Sequence, residues 1–148
     1  MLDSGEDKPD SHIEYGSLDD YALNRVEMAD QLEKAHPSGS FLIALSHAWQ
    51  VSEPEKEISE RIWNCLDNYG VRFVISGHTH ENRFLDGQTD WEKEYLEKYP
   101  GIVTYIDGGH SGKTYIASSI TLSPEGAYFE SYDNSGNKII DKKIGWNG

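Results

Sequence analysis

Runs of apolar residues interrupt an otherwise polar chain and predict where its strands lie. Residues 41–45 are a continuous apolar run of strand length, and residues 71–75 are apolar apart from Arg72. Both patterns are typical of strands buried on both faces of a sheet. A third apolar run covers residues 102–106. Beyond it, shorter apolar stretches separated by turn residues predict antiparallel strands near 114–122, 127–132 and 137–143.

A helical pattern lies between the first two apolar runs. Its apolar positions recur at helical spacing and share one face. They are Ile58, Ile62, Leu66 and Tyr69, with Cys65 beside them. Ser52 and Glu55 fit a capping box at the start of this helix, and Gly70 fits the position that follows its last turn. A strand, a helix and a strand joined by short connections predict a parallel pair of strands.

Two weaker helical patterns cover residues 19–35 and 90–98, and the second is interpreted as an exposed helix. The order of elements predicts an α/β fold (α+β sandwich type). It would have a mixed β-sheet with flanking helices. A length of 148 residues suits one domain over 1–148. Residues 1–18 are polar and rich in turn residues, and they are interpreted as a loop-like lead-in.

The charge balance narrows the class of partner. The formal net charge at pH 7 is −13, whereas proteins that bind a nucleic-acid backbone present clustered Lys and Arg, so no such partner is expected. No apolar run approaches the roughly 20 residues of a spanning helix, and the first residues lack the features of a signal peptide. We therefore expect no membrane partner and, by default, a cytoplasmic location. The single cysteine, Cys65, excludes an internal disulfide and a cysteine-rich zinc site.

Three histidines follow two of the predicted strands. His47 comes after the first strand, and His78 and His80 come after the second. Ligands of open α/β sheets gather at the carboxyl ends of strands, so this edge is a candidate site. In extended backbone His78 and His80 would share one face and one cavity. A turn at Gly77 would instead let them serve neighbouring metals, and both arrangements stay open.

The sequence Gly77-His78-Thr79-His80, preceded one helix earlier by a strand that ends in a lone His47, resembles the last two motifs of a known family. That family is the calcineurin-like (purple-acid-phosphatase-related) metallophosphoesterases. The opening segment 2–7 and the terminal strands over 116–144 are also similar to it. The resemblance covers nearly the whole chain but only the carboxyl-terminal half of the family pattern. It implies half of a four-layer α/β/β/α sandwich.

The resemblance implies a two-metal site that hydrolyses a phosphomonoester or phosphodiester by a metal-bound hydroxide. His47 and His78 would bind one metal and His80 the other, and the histidines do not distinguish manganese, iron and zinc. The family's Asp-x-His, Gly-Asp-x-x-Asp and Asn-His motifs are absent. Asp10-Ser11-His12 lies in a polar loop and is interpreted as a chance match. We therefore expect a phosphohydrolase fragment that is inactive alone.

Other interpretations remain beside this one. A non-catalytic binding module and a mononuclear metal-binding protein are the alternative functions. His110 is a weak candidate for substrate binding, although a loop histidine is the favoured interpretation. Glu81 and Asn82 are interpreted as turn residues or as hydrogen-bond partners of an imidazole. Because one sheet alone would expose an apolar face, we expect a homo-oligomer, pairing with the missing amino-terminal half, or a cover formed by residues 1–40.

Overall fold

Two β-sheets and two helices form the part of the chain that the structure describes. The structure is a computed structural model and describes residues 42–46, 56–77, 80–109 and 115–147. The strands are β1 Leu42–Ser46, β2 Val71–Ser76, β3 Arg83–Phe84, β4 Val103–Ile106, β5 Ala117–Ser123, β6 Gly126–Tyr132 and β7 Lys138–Gly145. The helices are α1 Lys56–Asn68 and α2 Asp90–Lys98. The predicted lead-in, the helix over 19–35 and the capping box lie outside the described residues.

The first sheet has four strands in the order β1-β2-β4-β3. β1, β2 and β4 are parallel neighbours, and β3 runs antiparallel to β4. The predicted unit of β1, α1 and β2 with a parallel strand pair is therefore confirmed. The sequence pattern does not indicate β3, because Arg83 and Phe84 are too few residues to show a period.

The end of α1 follows its sequence signal. Gly70 has a positive φ of 68°, a conformation that glycine adopts without the steric penalty of a Cβ. Its N–H donates to the Asp67 carbonyl at 2.9 Å. The helix turns a face with Trp63 and Leu66, which are 3% and 0% exposed, into the core. Leu66 belongs to the apolar face that the sequence predicts. Trp63 is buried as well, although it is not among the residues predicted for that face.

The terminal strands form a separate antiparallel sheet in the order β5-β6-β7. Each strand lies where the sequence predicts it, but the prediction of one mixed sheet is wrong. Both sides of β4 are already paired, with β2 and with β3. No edge of β4 is therefore open to β5, and the last three strands pair with one another.

The two faces of the first sheet are covered by different layers. On one face, side chains of α1 and α2 pack against Ala44, Val71 and Val74. On the other face, Phe73 and Tyr105 pack against Phe129 of the second sheet. The described part of the chain thus belongs to the α+β class and has helices, a four-stranded sheet and a three-stranded sheet as successive layers. The second sheet covers the apolar face that a single sheet would have exposed. Self-association stays a prediction.

Helix α2 differs from its predicted form. The helix begins after the N-cap residue Thr89, whose side chain accepts from the Glu92 N–H, and its bounds agree with the predicted segment. The prediction of an exposed helix is wrong, since Glu92 is fully buried and Tyr95 is 4% exposed. Neither helix among the described residues is long and apolar enough to cross a membrane.

Candidate functional site

The carboxyl ends of three parallel strands meet at one edge of the first sheet. Ser46 of β1 is the register partner of Ser76 of β2, and Ser76 is the partner of Ile106 of β4. The chain leaves this edge directly before His47, Gly77 and Asp107. Because backbone groups and side chains converge where parallel strands end, this edge is the place where an open α/β sheet holds a ligand.

Only one of the histidines singled out by the sequence falls among the described residues. His47, His78 and His110 lie outside them. His80 is exposed and has a positive φ of 57°, the one positive φ at a non-glycine position in the described ranges. Histidine enters this left-handed region more often than most residues, and such conformations cluster at ligand-binding and active sites.

The segment that carries His80 packs against the glycine-rich turn after β4. A Cβ added to Gly108 would lie 2.7 Å from the Glu81 carbonyl oxygen and 3.1 Å from that of His80. Such contacts are too short for a side chain, so glycine is required for this approach of two backbones. Gly109 also has a positive φ, of 53°. Gly108 therefore lets the segments after β2 and β4 come together.

An ion-pair chain holds the residue that follows His80. Arg83 Nε lies 2.7 Å from Glu81 Oε2, and Arg83 Nη2 lies 2.6 Å from Glu92 Oε1. Glu92 Oε2 also accepts the backbone N–H groups of Gly87 at 3.2 Å and Gln88 at 3.0 Å. Burial raises the pKa of Glu92, but the hydrogen bonds and charge of Arg83 prevail and hold this pKa below its ordinary value. The side chain of Glu81 thus forms an ion pair with Arg83. No feature of the sequence indicates the second ion pair, between Arg83 and Glu92 nine positions away.

A second polar network joins both segments of the site to the second sheet. The Tyr105 hydroxyl donates to Asn82 Oδ1 at 2.5 Å and lies 2.5 Å from Ser131 Oγ. Ser131 Oγ lies 2.9 Å from Ser118 Oγ, which donates to Asp107 Oδ1 at 3.1 Å. The Asn82 amide nitrogen is buried and has no hydrogen-bond partner among the described residues. The network therefore connects the segment after β2 with the segment after β4.

Asp107 is the site residue that the sequence interpretation misses. It follows β4 directly, and its N–H donates to the Ser76 carbonyl at 2.7 Å. A carboxylate that comes right after a buried strand and precedes two glycines is a signal that would have indicated it. Asp107 lies in none of the family's motifs.

The donor atoms at this edge fit a metal, although the described residues alone do not form a complete site. His80 offers an imidazole and Asp107 a carboxylate, which suit zinc, manganese and iron. Within the described ranges, no three His, Cys, Asp or Glu side chains lie close enough to hold an ion. The buried Asn82 amide nitrogen has no hydrogen-bond partner among the described residues; it is a hydrogen-bond donor and not a metal ligand.

Comparison with known proteins assigns the chain to no family. No family model matches it, and no curated protein matches it significantly. The resemblance to the metallophosphoesterases therefore stays a prediction.

Proposed function

We propose that this chain supplies histidine ligands to a two-metal site and belongs to a phosphohydrolase of the calcineurin-like metallophosphoesterase type. The observation that carries the proposal is the parallel pairing of β1 with β2, in which Ser46 and Ser76 are register partners. His47 follows Ser46 directly in the sequence, and His78 follows Ser76 by two residues. Histidines that come so soon after partnered strand ends suit a common cavity at that edge.

Each residue of the proposed site has a separate role. His47 and His78 are assigned to one metal and His80 to the other, as the family resemblance implies. When bound, two metals about 3.5–4 Å apart polarise the phosphate ester and activate a water for in-line attack. The close approach of Gly108 holds the backbone of His80 and Glu81, and Arg83 pairs with the Glu81 side chain.

The same proposal includes the complete fold of the family, a four-layer α/β/β/α sandwich. Three layers support it, because two sheets pack face to face through Phe73 and Phe129 and helices cover the outer face of the first sheet. Ring centroids of these two phenylalanines lie 5.4 Å apart in an edge-to-face arrangement. The residues that the structure describes include no fourth layer. The three family motifs that this sequence lacks would come from an amino-terminal half.

Metal content of the purified chain tests the proposal most directly. We expect bound manganese, zinc or iron by elemental analysis after loading and desalting, and a loss of at least about tenfold in affinity for His78→Ala and His47→Ala. His36→Ala is the matched control, because His36 has no assigned role in the site. Wild-type chain that retains no metal would overturn the proposal, and so would His78→Ala and His47→Ala variants that both bind metal as well as wild type.

Hydrolysis of p-nitrophenyl phosphate separates the proposal from its alternatives. We expect no turnover by the chain alone, and turnover after addition of a chain that carries the Asp-x-His, Gly-Asp-x-x-Asp and Asn-His motifs. His80→Ala should abolish that turnover. A stoichiometry of one metal per chain without turnover in either case would favour the mononuclear metal-binding protein, and no metal in any form would favour the non-catalytic module.

A further inference from the structure

We propose that Asp107 is a further metal ligand of this site and supplies the carboxylate that the three histidines lack. The inference rests on the proposed function but concerns a residue outside the family motifs. It begins from the place of Asp107 in the sheet. The residue follows β4, and its N–H donates to the Ser76 carbonyl at 2.7 Å. Asp107 is thereby joined to the last residue of β2, two positions before His78.

The carboxylate of Asp107 is held on one side. Its Oδ1 accepts from Ser118 Oγ at 3.1 Å and from the Gly109 N–H at 3.2 Å. Its Oδ2 has no hydrogen-bond partner among the described residues. Carboxylates that bind metals usually also accept hydrogen bonds from neighbouring groups, and these bonds fix their orientation. Asp107 therefore has one oxygen that sets its orientation and one that suits coordination.

The partner of Asp107 is itself fixed by the inter-sheet core. Ser118 Oγ lies 2.9 Å from Ser131 Oγ and 3.2 Å from the Tyr105 hydroxyl. Ser131 is fully buried and Tyr105 is 1% exposed, so neither can move without disturbing the packing between the sheets. Ser118 is accordingly a positioning residue, through which the second sheet orients a carboxylate at the edge of the first.

The Tyr105 hydroxyl also contacts the segment that follows β2. Tyr105 donates to Asn82 Oδ1 at 2.5 Å, and Asn82 follows His80 by two residues. The backbone of His80 and Glu81 lies against Gly108, the residue after Asp107. One cluster of hydroxyl groups thus holds both the histidine segment and the carboxylate segment.

The charge of Asp107 matters for the chemistry of the site. Three neutral imidazoles shared by two cations leave the mutual repulsion of the metals uncompensated. Carboxylate oxygens are the hard, charged ligands that complement imidazole at manganese, iron and zinc centres. The carboxylate of Asp107, directly after the strand next to β2, provides such a charge from within this chain.

Zinc affinity of the full chain, measured by competition with a chromogenic chelator, tests the inference. We expect Asp107→Asn to weaken binding by more than about tenfold and Ser118→Ala to weaken it less. Asp67→Asn on the exposed side of α1 is the control for the first variant. Ser119→Ala is the control for the second, because Ser119 is the exposed neighbour of Ser118 on β5. Ser118→Thr, which keeps the hydroxyl, should restore binding.

Cobalt substitution distinguishes a ligand from a merely structural residue. The visible absorption of bound Co²⁺ reports its ligand set, so Asp107→Asn should shift the bands whereas Asp67→Asn should not. Unchanged zinc affinity or an unchanged cobalt spectrum in folded Asp107→Asn would overturn the inference and leave the histidine site standing. If Asp107→Asn does not fold by circular dichroism, the Ser118→Ala and Ser119→Ala pair decides, and equal affinities would overturn it. Wild-type chain without metal would overturn both proposals together.

Discussion

The two faces of the four-stranded sheet are buried in different ways. The helix side is packed by aliphatic and aromatic groups, with the Trp63 and Tyr99 rings stacked at 5.7 Å and Tyr95 beside them. The sheet side combines the rings of Phe73 and Phe129 with a hydrogen-bonded network around Tyr105. Both faces stabilise the fold by removing apolar area from water. Only the second has a buried hydroxyl network, which joins Asn82 and Asp107 at the edge that carries the candidate site. From the helix side, the ion pairs of Arg83 with Glu92 and Glu81 reach the same edge.

The two faces therefore differ in how they respond to the loss of a hydrogen-bond partner. A buried hydroxyl network needs every partner in place, since a lost partner leaves a desolvated polar group. The sheet side therefore restricts Asp107 and Asn82 to one arrangement. The helix side contains a tyrosine hydroxyl, that of Tyr95, with no hydrogen-bond partner among the described residues, and no site residue depends on it.

The largest effect should come from emptying the core between the sheets. Phe129 is 1% exposed and its ring lies 5.4 Å from Phe73 and 5.3 Å from Tyr105. Phe129→Ala should lower the free energy of unfolding by about 3–5 kcal/mol, because it removes apolar contacts and leaves a cavity. Denaturant titration measures this. Leu122→Ala, at a residue that is 53% exposed, should change stability little. Equal losses in the two variants would contradict the inter-sheet core.

A comparable loss is expected when the buried carboxylate of α2 loses its partner. Arg83→Met should cost about 3 kcal/mol, because the variant leaves Glu92 charged, fully buried and without a counter-charge. Lys93→Met is the control, since Lys93 and Asp90 form an exposed pair that contributes little. Stability of Arg83→Met equal to that of Lys93→Met would show that Glu92 is solvated.

The pH dependence of this ion pair has a definite sign. The folded-state pKa of Glu92 lies below its ordinary value of 4.5, because Arg83 stabilises the charged form against burial. Its contribution to stability is therefore present above pH 4.5 and is lost as the pH falls through the folded pKa. The difference in stability between wild type and Arg83→Met should shrink over that range. A difference that grows as the pH falls would contradict the assignment.

The smallest effect separates the two faces most sharply. Tyr105→Phe removes a hydroxyl that has Asn82, Ser131 and Ser118 as partners, so it should destabilise by about 1–3 kcal/mol. Tyr95→Phe removes a hydroxyl without a partner in the described ranges, and burial already raises the pKa of Tyr95 to about 12. This variant should be neutral or slightly stabilising. Denaturant titration of both measures the difference, and equal losses would contradict the contrast.

Local patterns predicted most of the elements. The segment 71–75, apolar apart from Arg72, indicates a strand buried on both faces, and β2 is such a strand. Gly70 indicates the end of α1 correctly. The same reasoning misses the ion pair of Arg83 with Glu92, because two charged residues in polar stretches give no sign that one of them is buried. It also misses Asp107, whose partners Ser118 and Ser76 are distant in sequence.

The sequence by itself determined where strands and helices form and which histidines follow strand ends. These features depend on the period of apolar residues and on glycine at turns, both of which act over a few residues. Only the tertiary structure decided that the last three strands form their own sheet, because this depends on β3 and β2 already occupying both edges of β4. It also decided that Asp107 and Asn82 share one network, since the hydroxyls that join them come from β4, β5 and β6.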